Sequence, residues 1–201
     1  MTRFYSHSDA GQAFPIYITV VGGLLLLVFA YLAVGQAAAN RNGAQTAADA
    51  AALAAALDTR DKLTDDWVEN VLDPTKWQDI FDGAGVVFGG CARANQLAAQ
   101  NDATVQCTPQ PDLSPPGYEV VATTNKSVGD SIVPGTDGRH STEHATAVIE
   151  PRCEFELPGA GAHPDVLPKL TCEDGVEWTL DPKDLTDLPK PEDLFDVHLA
   201  D

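Results

Sequence analysis

Residues 16–35 (IYITVVGGLLLLVFAYLAVG) constrain this chain more than any other part of its sequence. No charged residue occurs between Asp9 and Arg41. Twenty residues of helix rise about 30 Å, which matches the hydrocarbon core of a bilayer, and a helix satisfies its own backbone polar groups there. Tyr17 and Tyr31 lie toward the two ends of the segment, where aromatic rings favour the membrane interface. The segment therefore predicts a membrane-spanning helix.

Two alternatives to a retained anchor have to be weighed. A buried helix of a soluble protein would have to be apolar on every side for five turns, which argues against it. A cleaved signal peptide is suggested by the small residues of GQAAAN that follow the segment. However, the apolar run is longer than a usual h-region of about 7–15 residues, and the preceding region has one Arg and one Asp. We therefore favour an anchor that stays in the protein.

The remainder of the chain is strongly acidic. The 201 residues include 30 acidic and 12 basic ones, and all but two of the acidic residues lie from Asp58 onward. Binding of nucleic acid needs Lys and Arg to displace counterions from phosphates, so a nucleic-acid partner is not expected. No stretch fits the D-x-[DN]-x-[DN]-G calcium loop. We predict no metal and no cofactor.

Four cysteines follow the apolar segment, with none of them in a C-x-x-C arrangement and with spacings unlike those of zinc sites. This pattern favours two structural disulfides in an oxidising compartment; four reduced, buried cysteines are the alternative. Arg3 and Arg41 flank the apolar segment almost symmetrically, so the positive-inside rule does not decide orientation. The cysteines and the acidic bulk place the N-terminus in the cytoplasm and the C-terminal part outside. The cysteines are Cys91, Cys107, Cys153 and Cys172.

The helix is expected to continue past the membrane. Residues 36–58 (QAAANRNGAQTAADAAALAAALD) contain no proline and are rich in alanine, the strongest helix former. We expect one helix of about 40 residues, some 60 Å long. Its alanine face could simply lie in solvent, but a strip of methyl groups also lets another helix approach closely. We predict such a helix-packing surface at Ala44, Ala47, Ala48, Ala51, Ala52 and Ala55.

From Asp9 to about residue 57 the sequence resembles the N-terminal segment of TadE/TadG-like Flp pilus-assembly proteins. The resemblance rests on the pair Gly11–Gln12 before the apolar helix, on Gln45, and on the run AADAAALAA, which begins at Ala47. It implies a pilin-like (minor pilin or pseudopilin) or assembly component of a Flp/Tad-type pilus. Its partners would be membrane lipid and other pilin-like or Tad assembly proteins, in a homo- or hetero-oligomeric assembly.

The resemblance also implies a processing site. Some relatives are cut by a prepilin peptidase, and the matching bond here joins Gly11 to Gln12. A Glu normally stands at the fifth position after that cut, whereas this chain has Ile16. The D-x-S-x-S metal motif of longer relatives is absent from the sequence, so the chain resembles a short member.

The predicted fold class is α+β: a long N-terminal helix, then a small extracytoplasmic domain with an antiparallel sheet of three to five strands and two disulfides. We divide the chain into a cytoplasmic leader (1–12), the membrane helix with its alanine-rich continuation (13–57), the domain (58–180) and an exposed, acidic, proline-rich tail (181–201). Helices are predicted over 65–72 (capped by Thr64), 74–82 and 91–101, and strands over 103–107, 117–124, 142–150 and 153–157.

A hairpin is predicted from register around residues 173–175 (EDG). A three-residue loop with Gly last is a known hairpin type. It places Cys172 opposite Val176 and Leu170 opposite Trp178, so that apolar side chains share one face. Four cysteines permit three pairings. The predicted elements favour the pairs Cys91–Cys107 and Cys153–Cys172.

No motif for catalysis stands out. His140 and His144 are four residues apart, but the second falls in a predicted strand, and no H-E-x-x-H or G-x-S-x-G occurs. The glycine-rich stretch 83–90 lacks the Gly-Lys-Ser/Thr ending of a phosphate loop. We therefore expect no enzyme and predict a component that acts by helix–helix packing. The alternatives are a surface binding module tethered by its helix and, third, a secreted enzyme.

Overall fold

A computed structural model of the protein describes residues 13–127, 138–157 and 166–200. Its dominant element is helix α1, Ala13–Glu69, of 57 residues and about 86 Å. The helix is longer than predicted and includes residues 65–69 of the segment 65–72, which was expected to form a separate helix. The expected cap at Thr64 is wrong, because its hydroxyl donates to Arg60 O, as in a helix interior. Residues 44–69 contain no Gly or Pro, so nothing interrupts the helix there.

The short helices that follow agree with the sequence. A 3-10 turn, Pro74–Lys76, leads into α2, Trp77–Phe81. Asp73 precedes the turn; its carboxylate accepts a bond from the Thr75 hydroxyl, which lowers the pKa of Asp73. Helix α3 covers Cys91–Gln100. These two helices pack beside the distal half of α1, the half that lies away from the apolar segment.

The main sheet has four antiparallel strands: three that follow one another along the chain and, beside the third, the C-terminal strand Phe195–Leu199 (β7). The first two are β1, Ala103–Gln110, which is three residues longer than predicted, and β2, Gly117–Thr124. They are followed by β3, Thr142–Pro151. Tyr118, Val120 and Ala122 alternate along β2 on the buried face, as their period-2 pattern predicts.

A second, three-stranded sheet contains β4, Cys153–Phe155, β5, Leu170–Cys172, and β6, Glu177–Trp178. The predicted register of its hairpin is confirmed. Leu170 lies opposite Trp178, and the N–H of Cys172 donates to Val176 O at 2.8 Å. The loop ends at Gly175 with φ of 74°, a left-handed conformation that favours glycine.

The C-terminal segment was expected to be an exposed strap. Instead it forms α4, Pro191–Leu194, and the edge strand β7, Phe195–Leu199, which pairs with β3. Leu194 and Phe195 are buried. Phe195, Val197 and Leu199 alternate with polar residues along β7, so they share one face of the strand. That face can cover the core at the edge of the sheet.

Both favoured disulfides are present. Cys91–Cys107 joins α3 to β1, and Cys153–Cys172 joins β4 to β5. The α+β fold with a long helix and two disulfides is therefore confirmed.

An aromatic cluster holds the distal end of α1 in the domain. The Trp67 and Trp77 ring centroids lie 5.4 Å apart, and those of Trp77 and Phe155 lie 5.3 Å apart. The rings of Phe81 and Phe195 also meet at 5.3 Å. Tilted and edge-on contacts at such distances are favourable for aromatic pairs. The cluster joins α1, α2, β4 and β7, so the last strand belongs to the core.

Candidate membrane anchor and helix junction

The first half of α1 has no buried side chain between residues 14 and 39. Among residues 14–34, the fourteen most exposed large apolar side chains are each between 50% and 80% exposed. A soluble monomer rarely exposes so large a contiguous apolar surface. The helix is long enough and apolar enough to cross a membrane. This exposed half, residues 14–39, is called the apolar arm below.

The second half of α1 is the core of the domain. The six alanines predicted as a helix-packing surface, from Ala44 to Ala55, all have an exposure of 0%. They face β2, β3 and α3 of the same chain. Small side chains allow the sheet and α3 to approach the helix backbone closely. The face does pack, but a partner helix could not reach it without displacing the chain's own sheet.

A set of polar contacts marks the point where the domain meets the helix. Asn40 Nδ2 donates to Lys126 O at 2.9 Å, and the Thr124 hydroxyl donates to Asn40 Oδ1 at 3.0 Å. One residue further, Arg41 Nε lies 2.6 Å from Glu143 Oε1. Because all three contacts join residues far apart in sequence, they connect the end of the apolar arm to the sheet. Asn40 begins the first polar run after the apolar segment, but the sequence pattern does not indicate these contacts.

A buried hydrogen-bond network ties α1 to α3 and β2. The Tyr118 hydroxyl lies 2.6 Å from Thr59 Oγ1 and accepts a bond of 3.0 Å from the N–H of Gly90. A Cβ at Gly90 would lie 2.1 Å from Ala55 O. Gly90, at the end of the glycine-rich stretch, thus allows α3 to approach α1 closely. The residues of the stretch do not form the pattern of a phosphate-binding loop.

His140 and His144, whose spacing the sequence argues against as a metal site, lie in separate settings. His140 Nδ1 donates to Thr124 O at 2.7 Å, and His144 lies in β3, exposed. No group of three or more His, Cys, Asp or Glu is arranged to hold a metal in the parts of the chain that the structure describes. The predicted cleavage pair, Gly11 and Gln12, lies outside the described residues.

The surface grooves are shallow and open. One groove of about 410 Å³ runs between α1 and α3, with Leu53, Leu57 and Leu97 as apolar lining and Arg60 and Arg93 beside them. It is too open to enclose a small molecule, which usually requires burial of most of the ligand surface. The grooves therefore indicate no ligand site, and the features that remain to be explained are the apolar arm and the contacts of Asn40 and Arg41 with the sheet.

Comparison with protein families agrees with these features. Residues 11–58 match the family model described as "Putative Flp pilus-assembly TadE/G-like". The match spans the apolar arm and the buried alanine face, and it confirms the resemblance of the N-terminal segment. It supports a Flp/Tad pilus-related role and suggests interaction with other pilus components. The search of curated proteins and the search of solved structures found no match.

Proposed function

We propose that the protein is a non-enzymatic, membrane-anchored, pilin-like component of a Flp/Tad-type pilus system. The observation that carries this proposal is the division of α1 into two halves. Residues 14–39 form an exposed apolar arm, and the half from Ala44 onward is buried in its own disulfide-bearing domain. Such a molecule has an insertion element and a folded head on one rigid helix.

In this proposal the partner contacts lie on the apolar arm. The alanine face is already covered by the sheet, so it cannot supply the helix–helix packing that the sequence suggested. The arm carries Gly22 and Gly23 in open space, and small residues allow close contact between helices in lipid. The N-terminus lies in the cytoplasm and the domain outside, where disulfides persist.

The decisive experiment replaces only the arm. The structure sets the boundary, because a swap beyond residue 39 would remove Asn40 and the core alanines. Residues 16–35 are exchanged for an unrelated membrane helix of equal length in a cell that makes the pilus. We expect the variant to reach the membrane with both disulfides formed, and we expect assembly of the pilus to fail.

The matched control exchanges only residues 24–27, LLLL, for four isoleucines, which keeps the length and the apolar character of the arm. The control should assemble. Normal assembly after the full exchange would contradict the packing role and favour the alternative, a surface binding module that is merely tethered.

Maturation of the N-terminus is a separate part of the proposal. Cleavage between Gly11 and Gln12 would leave Ala13 near the new N-terminus, directly at the start of α1. Sequencing of the mature N-terminus should then begin at Gln12. Intact Met1 or Thr2 in protein from the membrane would show that the chain is not processed there.

A further inference from the structure

The end of the domain nearest the apolar arm is held together by a continuous set of contacts. Its backbone is closed by bonds from Thr124 N to Ser141 O and from Asn125 N to Asp102 O. Asn40 and Arg41 attach it to α1. We call this end the proximal rim; it consists of Asn40, Arg41, Asp102 and the segments 124–127 and 138–143.

The proximal rim lies at the height of lipid headgroups if α1 crosses a bilayer with residues 16–35. Arg41 follows Gly35 by six residues, or about 9 Å of helix. The headgroup layer adds roughly 5–7 Å to each side of the hydrocarbon core. Long basic side chains can also lean toward the interface. The guanidinium of Arg41 therefore reaches the level of the phosphates.

The charges of the rim differ from those of the rest of the protein. It carries Arg41, Lys126 and Arg139, whereas its carboxylates among the described residues are Asp102 and Glu143. The whole chain has a net charge of −18. Screening confines electrostatic effects to about 8–10 Å at ordinary salt, so an anionic surface would act mainly on the rim and little on the distant acidic residues.

Two of the rim cations are largely exposed to solvent. The side chains of Arg41 and Lys126 are 74% and 76% exposed. Lys126 Nζ lies 2.7 Å from Asp102 Oδ2, whose side chain is 68% exposed. Exposed ion pairs of this kind contribute little, because water and salt screen them. A phosphate at the same height can therefore replace or share the carboxylate partner.

We propose that the proximal rim binds the phosphates of anionic phospholipids in the bilayer that α1 crosses. This inference rests on the proposed membrane anchor. It predicts that the head is seated on the membrane surface, with its acidic body directed away, until the arm is drawn out of the lipid.

The test uses the full chain in nanodiscs of phosphatidylcholine alone and of phosphatidylcholine mixed with phosphatidylglycerol. A fluorescent amino acid replaces Asn125, which is exposed, and the quencher is a nitroxide on the lipid headgroup. Quenching reports the docked fraction of the head. The variant is Lys126→Gln. The matched control is Lys76→Gln, because Lys76 is likewise exposed (57%) and near a carboxylate, but lies beyond the distal end of α1.

We expect stronger quenching in the discs that contain phosphatidylglycerol. Lys126→Gln should lower the docked-to-undocked ratio there by about fivefold, the effect of one basic residue at an anionic surface, and Lys76→Gln should leave it unchanged. Equal quenching in the two lipid mixtures, or an equal effect of the two variants, would overturn the rim proposal while the anchor stands. A chain that is not retained in either disc during gel filtration would contradict the anchor itself.

Discussion

Replacing Gly90 by alanine tests the close contact between α1 and α3. Gly90 precedes α3 with φ of −64° and ψ of −14°, a conformation that any residue adopts. The substitution therefore brings no backbone penalty of its own. Its added Cβ, however, would lie 2.1 Å from Ala55 O and 2.8 Å from Ala55 C. Ordinary contacts between carbon and oxygen are about 3.3–3.6 Å, so α3 has to move by more than about 1 Å.

That movement of α3 determines how much the free energy of unfolding falls. Overpacking of a well-packed core costs about 1–3 kcal/mol of stability. The Gly90→Ala clash belongs at the upper end of that range, because the atoms it meets are backbone atoms of Ala55. The shift also strains the bond from the N–H of Gly90 to the Tyr118 hydroxyl. A loss of about 3 kcal/mol in a domain of this size lowers the melting temperature by roughly 6–12 °C.

The assay is thermal unfolding of the full chain in detergent, followed by the near-UV circular dichroism of the buried Trp67 and Trp77. The matched control is Gly89→Ala, whose Cβ meets the movable end of Lys62 at 3.1 Å. We expect the control to stay within about 2 °C of the wild type, as surface substitutions usually do. A Gly90→Ala variant that is as stable as the control would refute the packing of α3 on α1.

Three further changes probe the same domain, each by the free energy of unfolding in denaturant. Tyr118→Phe should lower it by about 1–3 kcal/mol, because the N–H that begins α3 loses its buried acceptor; unchanged stability would argue against the network. The double variant Cys91→Ala/Cys107→Ala should lose about 3 kcal/mol, given a separation of 16 residues, and an equal midpoint under oxidising conditions would contradict the bridge. Ala48→Leu should cost about 1–3 kcal/mol, whereas Ala38→Leu, on the exposed arm, should cost nothing measurable in the head.

The local parts of the fold could be predicted from the sequence. The hairpin around 173–175 follows from a three-residue loop and from the face that its apolar side chains share. Strand β2, Gly117–Thr124, is predicted by the alternation of apolar and polar residues along it. Helix α1 was predicted too short, because polar residues after residue 58 resemble a new start. Within an unbroken helix, charged residues such as Asp61, Lys62 and Asp65 lie on its exposed side, whereas Thr59 and Thr64 face the core.

The long-range parts could not be predicted. The alanine periodicity identifies a face that is packed, but it does not say whether the partner is another chain or the sheet that follows in the same one. Likewise, β7 pairs with β3 across roughly 50 residues, and a five-residue strand carries too little pattern to indicate that partner. The proximal rim depends on the packing of the sheet against α1, since it forms only where strand ends meet Asn40 and Arg41.

The most direct test of the central claim is the intact mass of the protein extracted without reduction from native membranes and treated with an alkylating agent. The account predicts recovery in the membrane fraction, no alkylation, and a mass lighter by two hydrogens for each of the two bridges. Reduction before alkylation should then label Cys91, Cys107, Cys153 and Cys172. Alkylation without reduction, or recovery only in the soluble fraction, would contradict an anchored helix that carries a disulfide-bonded domain outside the cell.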